Sequence, residues 1–572
     1  MYYVFRKLKT ISICLMVANM LSVNAVYALD NINYHIQYIN QAQAKLNITT
    51  SFFGAEAKKT LLHVPTEGVT DLVATADNIP TKIIDNPADP SHATLYVLHH
   101  RPKALISVRY NVSQVFSGPP TAASLWQVIV NPTYFYFIGQ KVFAWPDQFK
   151  QDMIVSFKWD MPLSARFFNS FGVQQEPQIA ILHNIDELNS SLFVGGDFRL
   201  TSKQNGQQTI NTVIRGNWPF ADLEYSEKIS SVFAAVNNFW PKGQPKIFLN
   251  ALLPVSQLSN NKISLYSSSH MSIGGSELKD AFVLMATVPE TSDKKIWEII
   301  RSIATHEYSH NWISERLAHL PENDLGGRWF AEGVNEYMAQ KLRLRAQQMT
   351  LQEYVDRSNQ VVSAYFTSPA FGENINMGEY PVLSKETVFS ILQPYSRGEL
   401  LAWRWTIESR ERQPIDTILL QMVRDAENKR PIYSDKLVAK YLAQAGVVDA
   451  LADIENYARQ GEEIPLTGKE MGPCVTANKV PMLRYDIGFD LQKSKKEGKI
   501  VGLKQNGPAM KAGLQEGDEF TQLGYDYGNT KIPVQITLKT SQFITYSPSE
   551  PVQVLQYSLL PMKQIPSACY ER

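Results

Sequence analysis

Three hydrophobic patterns follow one another along the 572-residue chain. From residue 29 to about 170, apolar and polar positions alternate with the two-residue period of half-buried strands. Tyr34-His35-Ile36-Gln37-Tyr38 and Lys45-Leu46-Asn47-Ile48-Thr49 show it, and Leu95-Tyr96-Val97-Leu98 and the run from Leu105 to Tyr110 continue it. Asn- and Pro-rich turns separate these runs, so an antiparallel β domain is expected. From 171 to 290 the pattern is mixed, with a strand-like run from Lys246 to Asn250. From Thr291 to about 460 the period becomes helical. Ser292 or Asp293 can cap a first helix whose apolar stripe is Ile296, Ile299, Ile300 and Ile303. Further helices are expected near Arg328-Trp329-Phe330, through Gly398–Trp403, from Asp416 to Asn428 and from Ser434 to Ala445.

The length exceeds what one core can organise, so the chain reads as multidomain α+β. Its formal net charge is zero, with no basic stripe that would suit nucleic acid. The N-terminus has the layout of a secretory signal peptide over 1–28: Arg6, Lys7 and Lys9, then the mostly apolar Ile11–Leu21, then small residues before a cleavage point after Ala28. The apolar run is too short for a comfortable membrane span, and no later stretch offers one. Export to a periplasmic or extracellular space is therefore expected. Cys14 falls inside the signal segment. Cys474 and Cys569 remain, and in an oxidising compartment they could pair.

The chemistry concentrates at His306-Glu307-Tyr308-Ser309-His310, directly after the first helical stripe. On a helix, residues four apart share a face, so both imidazoles can reach one metal ion, with Glu307 beside them as general base. Two imidazoles and one carboxylate suit a single Zn²⁺ that keeps one position open. The third ligand must lie downstream, and Glu322, Asp324, Glu332 and Glu336 are the candidates. Glu332 sits in an expected helix after a turn at Leu325-Gly326-Gly327, whereas Glu322 and Asp324 would be held less rigidly in the loop. Glu336 lies one helical turn beyond Glu332 and can accept the other ring N–H of a metal-bound histidine, with His306 the candidate. The metzincin pattern is excluded, because Ile313 and Arg316 stand where it needs Gly and His.

The segment Trp329-Phe330-Ala331-Glu332-Gly333-Val334-Asn335-Glu336-Tyr337 resembles the third-ligand helix of the glycyl aminopeptidase family of zinc metallopeptidases. Tyr395-Ser396-Arg397-Gly398 resembles that family's Tyr-x-Arg-Gly motif. The resemblance implies a thermolysin-like gluzincin catalytic domain (171–465), flanked by the N-terminal β domain (29–170) and a C-terminal PDZ-like domain (466–572). It implies Glu332 as the third ligand and Tyr395 as the donor to the transition-state oxyanion. Gly274-Gly275-Ser276-Glu277 resembles the family's upstream Gly-Gly-x-Glu-His strand, so the glycines would let backbone approach substrate and Glu277 would bind its free α-ammonium. Leu278 replaces the family's histidine, and a charge-dense run expected near Ile415-Asp416 is missing.

In the C-terminal part, Tyr485-Asp486-Ile487-Gly488-Phe489 matches the carboxylate-binding loop of a PDZ domain, centred on Ile487, Gly488 and Phe489. The second groove helix of such a domain should fall near 535–548, yet Ile536–Phe543 reads as a strand. The expected activity is that of an exported zinc aminopeptidase acting on peptides, with small N-terminal residues such as Gly or Ala favoured by the resemblance. The alternatives are a zinc endopeptidase and a non-enzymatic peptide-binding protein.

Overall fold

The computed structural model describes residues 30–86, 93–149, 151–172, 177–240, 243–256, 273–313, 327–374, 387–409, 415–426, 434–561, 565–566 and 569. The signal-like segment, Glu322 and Asp324 lie outside them. The chain divides into two compact units. One comprises Met1–Ser226, Pro245–Leu258 and Ser268–Ser292; the other comprises Glu227–Gln244, Ser259–Ser267 and Asp293–Arg572.

The first unit is β-rich. Its largest sheet has seven strands, in the order Gln178–Asn184, Gln151–Asp160, Asp30–Ile39, Lys45–Phe53, Leu105–Val112, Val69–Ala76, Ile79–Thr81. The expected alternation is visible in burial: Ile32, Tyr34, Ile36 and Tyr38 point into the core while the residues between them do not. The expectation of a purely antiparallel sheet needs one correction. Asp30–Ile39 pairs in parallel with Gln151–Asp160, from Asp30 opposite Met153 to Gln37 opposite Asp160. A parallel partner requires a long crossover, so no local turn signal could have announced it. A separate five-stranded sheet runs Arg199–Asn205, Gln208–Ile214, Ile247–Pro254, Ala281–Ala286, Ile273–Leu278. Its three inner strands are mutually parallel and its two edge strands antiparallel to their neighbours. Gly274, Gly275 and Glu277 lie on the edge strand, opposite Met285, Leu284 and Phe282.

The second unit is largely helical. The chain enters it within helix α1 (Asp222–Phe239). Helix α2 (Lys294–Ile313) starts where the Asp293 carboxylate accepts the amide hydrogen of Ile296 at 2.9 Å, which selects Asp293 as the cap. Tyr308 stacks on Phe233 of α1 at 4.0 Å between ring centroids and donates its hydroxyl to Asn237 at 2.8 Å. Every residue from Ala304 to His310 is buried. A π turn over Trp329–Val334 leads into α3 (Asn335–Arg345). Helix α4 (Leu351–Thr367) opens with a reciprocal Thr350–Glu353 cap, and α5 (Thr387–Glu408) contains Pro394. Helices α6 (Ile415–Ala426) and α7 (Asp435–Gln444) follow.

Two glycines set a close backbone approach in this bundle. A β-carbon on Gly398 would stand 1.8 Å from the Trp329 carbonyl oxygen and 2.8 Å from the Gly333 α-carbon. A β-carbon on Gly333 would stand 2.6 Å from the Gly398 α-carbon. The backbones of the π turn and of α5 are therefore in direct contact, which any side chain would prevent.

The last part of the chain forms an antiparallel ribbon of Val475–Tyr485 and Ser549–Leu559, a short helix α8 (Leu491–Glu497) and a three-stranded sheet. Val534–Leu538 and Phe543–Tyr546 are paired antiparallel strands of that sheet, so the run Ile536–Phe543 read as one strand is broken by a turn after Leu538. A disulfide joins Cys474 to Cys569 at one end of the ribbon. Among the described residues no helix is long and apolar enough to cross a membrane.

Gly398→Ala is expected to destabilise the protein by about 1–3 kcal/mol or more, because backbone rather than a yielding side chain opposes the new methyl. Denaturant unfolding of the variant beside the wild type measures this directly.

Candidate active site

Helix α2 presents His306 and His310 from one face, and the π turn brings Glu332 to them. His306 Nε2 is 3.1 Å from His310 Nε2 and 3.1 Å from Glu332 Oε2; His310 Nε2 is 3.5 Å from the same oxygen. Tetrahedral zinc with bonds of about 2.0–2.1 Å needs ligand atoms roughly 3.3 Å apart. The three atoms therefore match one metal ion in identity and in spacing. Two imidazole lone pairs cannot face each other this closely without a proton or a cation between them. Glu332 occupies a π turn, a local widening of the helix that re-aims a side chain by one position.

His306 is oriented from behind. Its Nδ1 donates to Glu336 Oε2 at 2.6 Å, which leaves Nε2 as the atom that faces His310 and Glu332. The other oxygen of Glu336 accepts from Gln340 at 2.8 Å and from Arg357 at 2.6 Å. Burial alone would raise the Glu336 carboxyl, but Arg357 and His306 hold it far below the usual carboxylate range. Arg357 also grips Glu399 with both terminal guanidinium nitrogens, at 2.6 and 3.0 Å. Burial pushes the Glu399 carboxyl up to about 7, against the pull of Arg357. The Asn335 carboxamide donates to the His306 carbonyl at 2.9 Å, and Gln340 to Ser302 at 2.9 Å, pinning α3 to α2.

Glu307 is buried on α2, and one of its carboxylate oxygens lies within 4.8 Å of a ring nitrogen of His310. The Tyr395 ring on α5 lies nearly parallel to the His306 ring, centroids 6.0 Å apart. Arg397, two residues on, turns the other way, donating to the Ala458 carbonyl at 3.1 Å and the Glu373 carbonyl at 2.8 Å. Ile487 and Phe489 are buried in the core of the C-terminal sheet; the Ile487 carbonyl accepts from the Tyr546 hydroxyl at 2.7 Å, and α8 follows directly.

Reading the sequence missed Arg357, Glu399, Gln340 and Asn335. Glu399 had one available signal, since it stands a single helical turn after Tyr395. Asp416, where the resemblance led one to expect a charge-dense run, is buried and held by Lys341 at 2.8 Å and by Arg345.

Residues 300–376 match the M61 glycyl aminopeptidase family. A comparison with curated protein sequences returns no match. Among solved structures, an aminopeptidase N family protein from Idiomarina loihiensis is similar over 92% of this chain and 98% of its own, at 13% identity and a TM-score of 0.65. An M1 zinc metallopeptidase from Deinococcus radiodurans, solved with a Tyr-Ser-Ala substrate, is similar over 77% of this chain and 95% of its own, at 15% identity and a TM-score of 0.48. The fold is thus aminopeptidase-like, a β-rich region followed by a helical part. The match over residues 300–376 supports a metallopeptidase of the glycyl aminopeptidase type.

Burial would lower the His306 pKa, but Glu332 and Glu336 raise it well above its ordinary value of 6.5. In the metal-free protein that contribution to stability is full below about pH 6.5 and is lost as pH rises through the raised value. Zinc and that proton compete for Nε2. The rise in melting temperature on adding zinc is therefore expected to grow with pH, and melts with and without zinc at acidic and alkaline pH check this.

Proposed function

We propose that this protein is an exported zinc aminopeptidase, with His306, His310 and Glu332 as ligands of one ion. The observation that carries the reading is the convergence of Nε2, Nε2 and Oε2 within 3.5 Å of one another. Bound zinc supplies Lewis acidity toward a peptide carbonyl and toward water. Glu307 takes the proton of the attacking water and returns it to the leaving amine. The Tyr395 hydroxyl donates to the oxygen on which negative charge develops. Glu336 holds His306 in the tautomer with Nε2 free.

Glu277 anchors the substrate's free ammonium, and Gly274 and Gly275 let the substrate backbone approach. Leu278 stands where the resemblance led one to expect a histidine. It is buried in the core of the first unit, on the strand face opposite Glu277, so a side chain at 278 does not share the surface that Glu277 presents. Small N-terminal residues such as Gly or Ala are the proposed preference. Export is supported by the signal-like N-terminus and by the Cys474–Cys569 disulfide, which suits an oxidising compartment. Residues 466–572 are proposed as a divergent PDZ-like module that serves as a structural brace rather than a peptide groove, since a helix and not a strand follows the Ile487-Gly488-Phe489 loop.

Turnover of a free-amine aminoacyl reporter and of its N-acetylated twin tests this reading. Cleavage of the free-amine form is expected, abolished by a chelator and restored by zinc. Glu307→Gln is expected to lose about 10²–10⁴-fold in kcat, and Tyr395→Phe about 10²–10³-fold. Glu277→Ala should cost free-amine cleavage mainly through KM. Equal cleavage of the blocked twin would make the protein an endopeptidase. A zinc-loaded protein that cleaves neither would be a binding protein.

A further inference from the structure

We propose that Arg357 is a positioning residue of the metal site, tying the carboxylate that orients His306 to the helix that carries Tyr395. The proposal rests on the roles given above to His306 and Tyr395. It begins from three elements that share one guanidinium. Arg357 projects from α4, Glu336 from α3 and Glu399 from α5. Arg357 Nη1 reaches Glu399 Oε1 at 2.6 Å and Nη2 reaches Glu399 Oε2 at 3.0 Å, the two-point fork that a planar guanidinium makes and an ammonium cannot. Nη2 also reaches Glu336 Oε1 at 2.6 Å.

The consequence for Glu336 is geometric. Its Oε1 is taken by Arg357 and Gln340, so Oε2 is left to His306 Nδ1 and the carboxylate plane is fixed by three partners. The consequence for α5 follows from helix pitch. Glu399 is four residues after Tyr395 and on the same face, so the grip on Glu399 also sets where Tyr395 stands relative to α3. The base of the clamp is itself anchored. Two residues after Arg357, the Asn359 carboxamide accepts the Tyr557 amide at 2.7 Å and donates to the Tyr557 carbonyl at 2.9 Å, as a neighbouring strand would.

The two arms separate experimentally in the full chain. Zinc affinity is read by competition with a chromogenic chelator, folding by melting of the metal-free protein, and kcat and KM by the free-amine reporter. Arg357→Lys keeps the charge and loses the fork. It is expected to weaken zinc binding by about 10–100-fold and to lower kcat with little change in KM, while the metal-free melting temperature stays near that of wild type. Glu399→Gln leaves Arg357 on Glu336, so zinc affinity should stay close to wild type while kcat falls. Wild-type zinc affinity in Arg357→Lys would overturn the proposal. So would equal losses of zinc affinity and melting temperature in both variants, the mark of a merely structural pair. If the wild type turns over no peptide, the proposed function fails while the zinc arm still decides this inference. Glu307→Gln, which should bind zinc normally, serves as its reference.

Discussion

Carboxylates that are buried or largely so are the constraint around which the second unit is built. Glu307, Glu332, Glu336 and Glu399 are brought together by α2, the π turn, α3 and α5. Isolated carboxylates in such a place would be costly, and each must find a cation or give up its charge. Arg357 serves Glu336 and Glu399, and Arg328 approaches Glu332 at 3.8 Å. A divalent ion held by His306, His310 and Glu332 would supply the positive charge that these arginines do not. The same excess of acid that would destabilise an empty core would favour the uptake of a divalent cation. A zinc ion here would be as much a part of the fold's electrostatic balance as of its chemistry.

That balance can be struck only if the helices come close, and the close approach is a matter of missing side chains. Gly333 and Gly398 put the backbone of the π turn against that of α5. Glu332 and Tyr395 flank this contact, one residue before Gly333 and three before Gly398, so the groups proposed to hold the metal and to meet the oxyanion are positioned by the same backbone seam. Around it the cations hold the periphery. Lys341 and Arg345 on α3 grip the buried Asp416 at the start of α6, and Arg343 reaches Glu298 on α2 at 2.6 Å. Polar side chains in this core act as cross-ties between helices.

The C-terminal ribbon belongs to the same logic. Its strand Ser549–Leu559 meets α4 through the double hydrogen bond of Asn359 with Tyr557, and Tyr557 in turn donates to Glu470 at 2.8 Å. The Cys474–Cys569 disulfide closes one end of the ribbon. The helix that bears Arg357 is therefore packed between the acidic core on one side and this ribbon on the other.

The sequence by itself determined whatever depends on local period. Two histidines four apart, an apolar stripe before them and a cap at Ser292 or Asp293 specify a helix that presents both imidazoles from one face, because helix pitch alone puts i and i+4 together. Period-two alternation likewise marked the strands that begin at Asp30, Lys45 and Leu105. The tertiary structure decided everything that joins elements without a shared period. The parallel pairing of Asp30–Ile39 with Gln151–Asp160, the selection of Glu332 through a π turn, and the grip of Arg357 on Glu336 and Glu399 belong to this class. An arginine on one helix carries no local mark of the two carboxylates it will meet on others. Its partners are chosen by how the helices pack, and that packing depends on contacts such as Gly333 against Gly398, which lie far apart along the chain.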